Sequence, residues 1–582
     1  MSTEGQWQCY VRGTPREITV ALGIILLASM LACAPMLWYG ASNGFDSSTA
    51  LVWQREFSRQ LIHGDLYPRW LMDANRGAGS PAFYFYAPLP YYFASVAAGL
   101  VPAARDVVQL AWADWLLLAL SGVTFYLYGR VQFKSHLALT CSLLYMLLPY
   151  HYEIDLWTRQ DLGELTNYIW MPLVLRFGEN LLRNGDGELR LATCYGLMLI
   201  SHLPSTILFT LCLLPYILSY CRQRAFLGRV LRVGRAAGTA VLLASIYWIP
   251  AYFCQRYIHA EAWWSWFTDF HLWFFPVRPL EAFRNIPEGR TFNLRVLQVV
   301  SITTAALVLF TGTSLLSHGV GCLRKLGGYL GTAMFAWFLM TPASTLIWEA
   351  TPLLAKVQFP YRLSMIIDLA TAVIALHSMS GIRGMKLSVV PGVLAAFGLL
   401  TWCVYTADLK TKLGPFSDPS LIAARDANVH NGVDAPEYTT VWSPFSADAF
   451  DNSVHIGDRS RISYDLRSGL VQARSWSPGY IKLKVDLTST TLLVIRQFYF
   501  PGWQASTPDG QPMALFPSRE EGLISLSLPS GRYQVIVKLV ALPEEIVGWL
   551  MSLLGIGVLC LIFNRSARES RANNVGLEGD VA

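Results

Sequence analysis

Charge is what this sequence has little of. Only 14% of its 582 residues are Asp, Glu, Lys or Arg, against about a quarter in soluble domains. That deficit excludes disorder, a coiled coil and a nucleic-acid arm as descriptions of the whole chain. The ten cysteines form no CxxC pair, so a zinc or dithiol motif has no support. The stretch 406–541 has no cysteine at all and, if extracytoplasmic, folds without disulfides. HExxH and Walker patterns are missing, as are 20–50-residue repeats and low-complexity tracts. Metalloprotease and ATPase readings thereby lose their simplest basis.

What is there is hydrophobic: 53% of the residues. A bilayer crossing needs about 20 apolar residues. Candidate spans lie at 18–40, 107–129, 136–150, 165–182, 190–203, 204–221, 236–253, 294–316, 329–347, 361–380, 387–405 and 543–563. The first has no small-residue cleavage site and reads as a retained anchor. The expected fold is a polytopic α-helical membrane protein of about twelve spans. The net charge of +6 comes from short basic clusters between spans, as orientation signals do.

The segment 84–101 decides the orientation. It opens FYFYAPLPYYF, dense in aromatics and broken by Pro88 and Pro90. Counted as a span, it would turn the arginines of 222–235 and the Arg383/Lys386 loop outward, against the positive-inside rule. Read as an interfacial or re-entrant helix, it keeps those clusters cytoplasmic. The loops 41–83, 151–163, 254–292 and 348–360, with 406–541, then face outward. These loops hold the carboxylates, so any chemistry is expected on the outer, periplasmic face of a bacterial inner membrane.

The stretch 406–541 reads as β-rich. TTLLVIRQFYF at 490–500 and RYQVIVKLV at 532–540 are β-branched and aromatic runs. GLISLSLPSG at 522–531 alternates with period two, and PDG and PSG mark turns. A C-terminal extracytoplasmic β-sandwich is expected. The chain divides into a transmembrane domain at 1–405, the β-rich domain at 406–541, and a last span with its tail at 542–582.

Three outer loops carry candidate chemistry. Asp46 follows the first span by a few residues. It reads either as a general base at the membrane surface or as the N-cap of an amphipathic helix over 48–62. Asp65, in HGDLYP, has the setting of a turn residue. HYEIDLWTRQDLGE at 151–164 packs Glu153, Asp155, Arg159, Asp161 and Glu164 between two spans. It is either a solvated loop with local ion pairs or a functional cluster, with Arg159 suited to a phosphate. KVQFPYR at 356–362 offers Lys356 and Arg362, as phosphate ligands or as snorkelling cations. His202 in SHLPS is either a helix-end residue or a site residue. AWWSWF at 262–267 is either an interface belt or a sugar-stacking surface.

Taken in order, GDLYPRW, GSPAFYFYAPLPYY, RQDLGE, SHLPS, VQFPYR and FYFPGWQ resemble the bacterial membrane proteins labelled pyruvoyl-tetrahydropterin-synthase-related, with a C-terminal β-domain of YfhO type. The pterin label is misleading, because neither a soluble α/β fold nor a zinc-binding histidine set is present. The wider architecture resembles the GT-C superfamily of glycosyltransferases. That resemblance implies a polyprenyl-phosphate sugar as donor and a glycan, lipid or protein as acceptor, with membrane lipid around the site and no nucleic acid. It places Asp46 as base, with Glu153 and Asp155 as further acidic groups. Arg159 and Arg362 would contact the phosphate, with Gln358, Tyr361, His202 and Glu164 nearby. The acidic pair reads EID rather than a strict DxD, which leaves a divalent metal possible but not indicated. One direct displacement with one base would invert the anomeric centre. Two other readings stay open: a flippase for a lipid-linked sugar, and a non-catalytic scaffold of polysaccharide assembly.

Overall fold

The computed structural model describes residues 14–42, 44–223, 225–260, 269–275, 287–381, 438–443 and 461–579. The chain is a mostly helical integral membrane protein with a C-terminal β-sheet region. Among the described residues, five helices are long and apolar enough to cross a membrane: Pro15–Tyr39, Asp106–Gly129, Thr291–His318, Pro360–Ser380 and Pro543–Arg565. The count rises to seven if Phe226–Leu243 with Ser245–Tyr257, and Val320–Leu339 with Pro342–Ala350, each form one bent span. This falls short of the expected twelve. The segments 136–150, 190–203 and 204–221 form the shorter helices Ser135–Leu147, Glu188–Leu199 and Leu203–Cys212 with Leu214–Leu218. Expected span 165–182 lies in Leu162–Asn184, which also carries Arg176, Glu179 and Arg183. Expected span 387–405 lies outside the described residues.

Local rules explain the element ends. Thr14 and Glu17 form a capping box at the start of Pro15–Tyr39, the threonine hydroxyl accepting from Glu17 N–H and the glutamate from Thr14 N–H. The aromatic segment after it yields the short helices Ala82–Phe85 and Leu89–Leu100. Twelve residues reach only about 18 Å, too short for a span. The amphipathic stretch becomes the helix Ser47–Ile62.

The β-region holds two antiparallel sheets, ordered β1-β4-β8-β7 and β2-β3-β9-β5-β6. The strands run from β1 (Ile462–Ser463) through β2 (Gly469–Ser477), β3 (Tyr480–Leu487), β4 (Thr491–Phe498), β5 (Trp503–Ser506), β6 (Pro512–Met513), β7 (Phe516–Pro517) and β8 (Leu523–Leu528) to β9 (Gly531–Leu539). Period two places Ile481, Leu483, Val485 and Leu487 of β3 in the same apolar core as Leu493 and Ile495 of β4.

This region is fastened to the first loop. The hairpin closed by Leu71 and Ser80 presents backbone carbonyls outward. Gln497 donates to the carbonyls of Met72 and Gly77, each at 2.9 Å. Trp70 donates to Gln497 Oε1 at 2.7 Å and packs on Phe500 and Trp503. Arg69 pairs with Glu545 at 2.9 Å, where both are buried, and Tyr84 donates to the same carboxylate. The GDLYPRW, AFYFY and FYFPGW motifs therefore meet one another as a joint.

Candidate functional site

The site begins with an uncommon helix. Tyr150–Arg159 is a ten-residue π-helix that follows Ser135–Leu147 after a break at Leu148, whose ψ is 138°. Wide turns of this kind frequently mark functional positions. It ends at Gln160, whose φ of +59° reverses the chain. Asp161 then caps the helix Leu162–Asn184, accepting from Glu164 N–H at 3.0 Å. Every charged residue of 151–164 is buried, which overturns the solvated-loop alternative.

Arg159 is the hub. Its Nη1 lies 3.0 Å from Asp155 and 2.7 Å from Glu164, and its Nη2 lies 2.6 Å from Asp161. Glu164 also holds Arg362 at 2.7 Å, while Arg362 donates to the Val357 carbonyl at 3.0 Å. The Arg159 guanidinium stands 5.6 Å from the ring of Tyr361, which packs with Trp273, Phe292 and Phe359. Gln358, with a φ of +71°, shapes the turn before this wall.

The first loop is tied directly to the hub. Phe45 N–H donates to the Thr158 carbonyl and Asp46 N–H to the Arg159 carbonyl, at 3.1 and 2.9 Å. A Cβ at Gly44 would sit 2.7 Å from the Arg159 carbonyl oxygen, so the approach requires glycine. Asp46 occupies the N-cap position of Ser47–Ile62 but makes no side-chain cap bond. Its carboxylate instead reaches Arg159 Nη2 at 3.9 Å, with 53% of the side chain open. The helix-cap alternative therefore fails on geometry.

Four carboxylates face two guanidiniums here, and burial, with that imbalance behind it, sets their protonation. Burial holds Asp155 well above the usual carboxylate range, and Glu164 pushes the same way; its Oδ2 is buried without a hydrogen-bond partner. Burial would also raise Asp161, but Arg159, His202 and Arg362 hold it below the usual range. For Asp46, loss of water on its packed side raises the carboxyl toward about 6, with Asp161 and Glu164 adding to the rise against the pull of Arg159 and Arg362, while water on its open half limits it. A carboxylate that is half open and poised near 6 can take a proton at neutral pH.

The predicted residues separate into groups. Asp46, Asp155, Arg159, Glu164, Arg362 and Tyr361 come together, with His202 beside them. Glu153 does not join: it pairs with Arg295 on the helix Pro287–His318. Arg295 was missed because nothing in its local sequence separates it from a span-end cation. Phe45 packs on Phe292 at 5.2 Å, which sets that helix against the Asp46 loop. Asp65 caps a turn, accepting from Tyr67 N–H. Two buried aspartates inside spans brace the π-helix. Asp114 accepts from Gln160, and Asp368 accepts from the His151 N–H and the Thr303 hydroxyl. Residues 40–44 spell GxSxG. They follow the helix Pro15–Tyr39 rather than a strand, so this is no nucleophile elbow. The stretch 262–267 lies outside the described residues.

Asp161, Glu164 and His202 place one ligand atom each within 4.8 Å of one another, close enough to share a divalent cation. Two of the three do not fit that role as they stand. Asp161 Oδ2 and Glu164 Oε1 already carry guanidinium groups at 2.6–2.7 Å. The arginines supply the positive charge a metal would bring, and no step is routed through one.

No family model matches the chain, and no curated protein does. Among solved structures it is similar to the arabinofuranosyltransferase AftD from Mycobacteria, at 16% identity and a TM-score of 0.38. That likeness covers 67% of this chain and only 27% of AftD. It is also similar to ArnT from Cupriavidus metallidurans bound to undecaprenyl phosphate, at 12% identity and a TM-score of 0.29 over 63% of this chain and 78% of ArnT. Likenesses this loose lend no residue a role.

Proposed function

We propose that the chain is a membrane glycosyltransferase that moves a sugar from a polyprenyl-phosphate donor to a glycan, lipid or protein acceptor on the outer face of the bacterial inner membrane. The observation that carries it is Asp46: half open, uncapped, poised near pH 6 and backed by a buried arginine–carboxylate hub.

In this reading Asp46 takes the proton of the acceptor hydroxyl as that oxygen attacks the anomeric carbon. The bond from the anomeric carbon to the phosphate oxygen breaks, and its electron pair leaves on polyprenyl phosphate. A single displacement inverts the centre. The leaving phosphate needs cations. Arg159 was expected there, but its two terminal nitrogens are committed to three carboxylates, so its part is to position Asp161 and Glu164. Arg362 and Arg295 each pair with one carboxylate and have donors left for phosphate oxygens. The wall of Trp273, Phe292, Phe359 and Tyr361 suits a sugar ring or the first isoprene units.

The test uses purified full-length protein in detergent, a panel of polyprenyl-phosphate sugars and a crude envelope extract as acceptor. Polyprenyl phosphate should be released by the parent and reduced about 10²–10⁴-fold in Asp46→Asn, the usual contribution of a general base. Equal release by both proteins would remove Asp46 from the mechanism. No release with any donor would turn the reading toward a scaffold or flippase.

A further inference from the structure

The end of the molecule away from Asp46 carries a second constellation. The helix Leu162–Asn184 starts beside the arginine hub and closes at Gly185, whose φ is +76°. Its 23 residues carry the chain about 35 Å away from the hub. The last helix runs the same way. Glu545 pairs with Arg69 near the site end, and Arg565 follows twenty positions later, about 30 Å along the axis. Where the two far ends meet there is a recess of about 500 Å³, within the range of ligand pockets.

Its lining is unusual for a membrane boundary. Arg190, Arg232, Arg235 and Arg565 face it against two carboxylates, Asp186 and Glu188. Arg235 takes both oxygens of Glu188. Arg232 donates to the Gly185 carbonyl at 2.6 Å, a neutral partner that leaves its charge uncancelled. Arg190 is exposed, with its guanidinium 5.8 Å from the Phe177 ring. The remaining wall is apolar and comes mostly from the last helix, with Leu189 opposite. Leu561 and Phe563 there are 69% and 57% exposed, as side chains facing lipid tails would be.

We infer that this recess binds the headgroup phosphate of an anionic phospholipid from the inner leaflet, with its acyl chains along Leu561 and Phe563. Surplus guanidinium charge recognises phosphate oxygens in pairs. Arginines that serve only to orient the chain need no recess, and a soluble anion needs no apolar wall. A phospholipid uses both, and basic pockets between helices on the cytoplasmic side suit such headgroups. The inference stands apart from the transfer chemistry and survives if that reading fails.

The test is thermal unfolding of the full-length protein in nanodiscs of phosphatidylcholine with increasing phosphatidylglycerol. The parent should gain stability with phosphatidylglycerol. The apparent affinity should fall about fivefold for each arginine removed, in Arg190→Gln and in Arg190→Gln/Arg232→Gln. Inorganic phosphate added to pure phosphatidylcholine discs should give no shift. Equal responses of parent and double variant, or a shift with phosphate alone equal to that with lipid, would overturn the inference. If the double variant unfolds early even in phosphatidylcholine, the exposed single change Arg190→Gln decides, with Arg190→Lys restoring only the part that charge alone supplies.

Discussion

Two buried arginines in this chain do different work. Arg69 meets one carboxylate, Glu545, and adds the Ile246 carbonyl and the Tyr67 ring. One positive charge faces one negative, and residues 476 positions apart are fastened as a joint. Arg159 meets Asp155, Asp161 and Glu164 at hydrogen-bond distance and Asp46 at 3.9 Å, with Arg362 as the second cation. Charge there does not balance. Burial first, and the excess negative charge after it, raise the proton affinities of Asp155 and Asp46. A matched buried pair holds two parts of a fold together; an unmatched one keeps a group near its point of ionisation, which is a chemical resource.

The largest effect should come from breaking the hub. Arg159→Met leaves three buried carboxylates to Arg362 alone, and stability should fall by about 3–5 kcal/mol, as when one partner of a buried pair is removed. Unfolding in detergent measures this; a variant as stable as the parent would erase the distinction between the two regions. The joint should be replaceable where the hub is not. Arg69→Met should cost a similar amount, but Arg69→Met with Glu545→Leu should recover most of it, because a matched pair exchanged for apolar groups is often neutral. A double variant no better than Arg69→Met would mean the joint depends on more than charge matching.

A smaller effect concerns a third carboxylate, Glu56, buried on Ser47–Ile62. Burial, with Asp73 adding to it, raises this group from 4.5 to about 7. The folded chain thus binds the proton more tightly than the unfolded chain does. The stabilisation is complete below about pH 4.5 and lost as pH rises through about 7. The unfolding temperature should therefore decline across that window, and Glu56→Gln should flatten the decline. An unchanged slope would show that Glu56 is not buried as described.

Much of the hub was legible because charge is scarce in this chain. Asp46, RQDLGE and VQFPYR stand out at the ends of apolar runs, and the structure gathers them. That the Asp46 side chain leaves its helix uncapped was not legible. It depends on Gly44 lying against the Arg159 carbonyl, which is a tertiary contact. GDLYPRW and AFYFY form the joint with Gln497, Phe500 and Glu545, a role nothing in their local sequence signals. Pairing over more than 400 residues leaves no local signal. The π-helix was hidden for a related reason: 151–164 has the composition of a loop, and only the packing of Asp114 and Asp368 around it shows why it is wound and buried. The β-sheets were easier, since the period-two alternation of 522–531 and the β-branched and aromatic runs at 490–500 and 532–540 are local properties.

The most direct test of the central claim is the pH dependence of kcat/KM for sugar transfer, in the parent and in Asp46→Asn. A base must be ionised to act, so the parent's rate should rise with pH through about 6 and level off above it. The residual rate of Asp46→Asn should lack that limb. An acid limb near 6 that persists in Asp46→Asn would assign the base to another group and contradict the account.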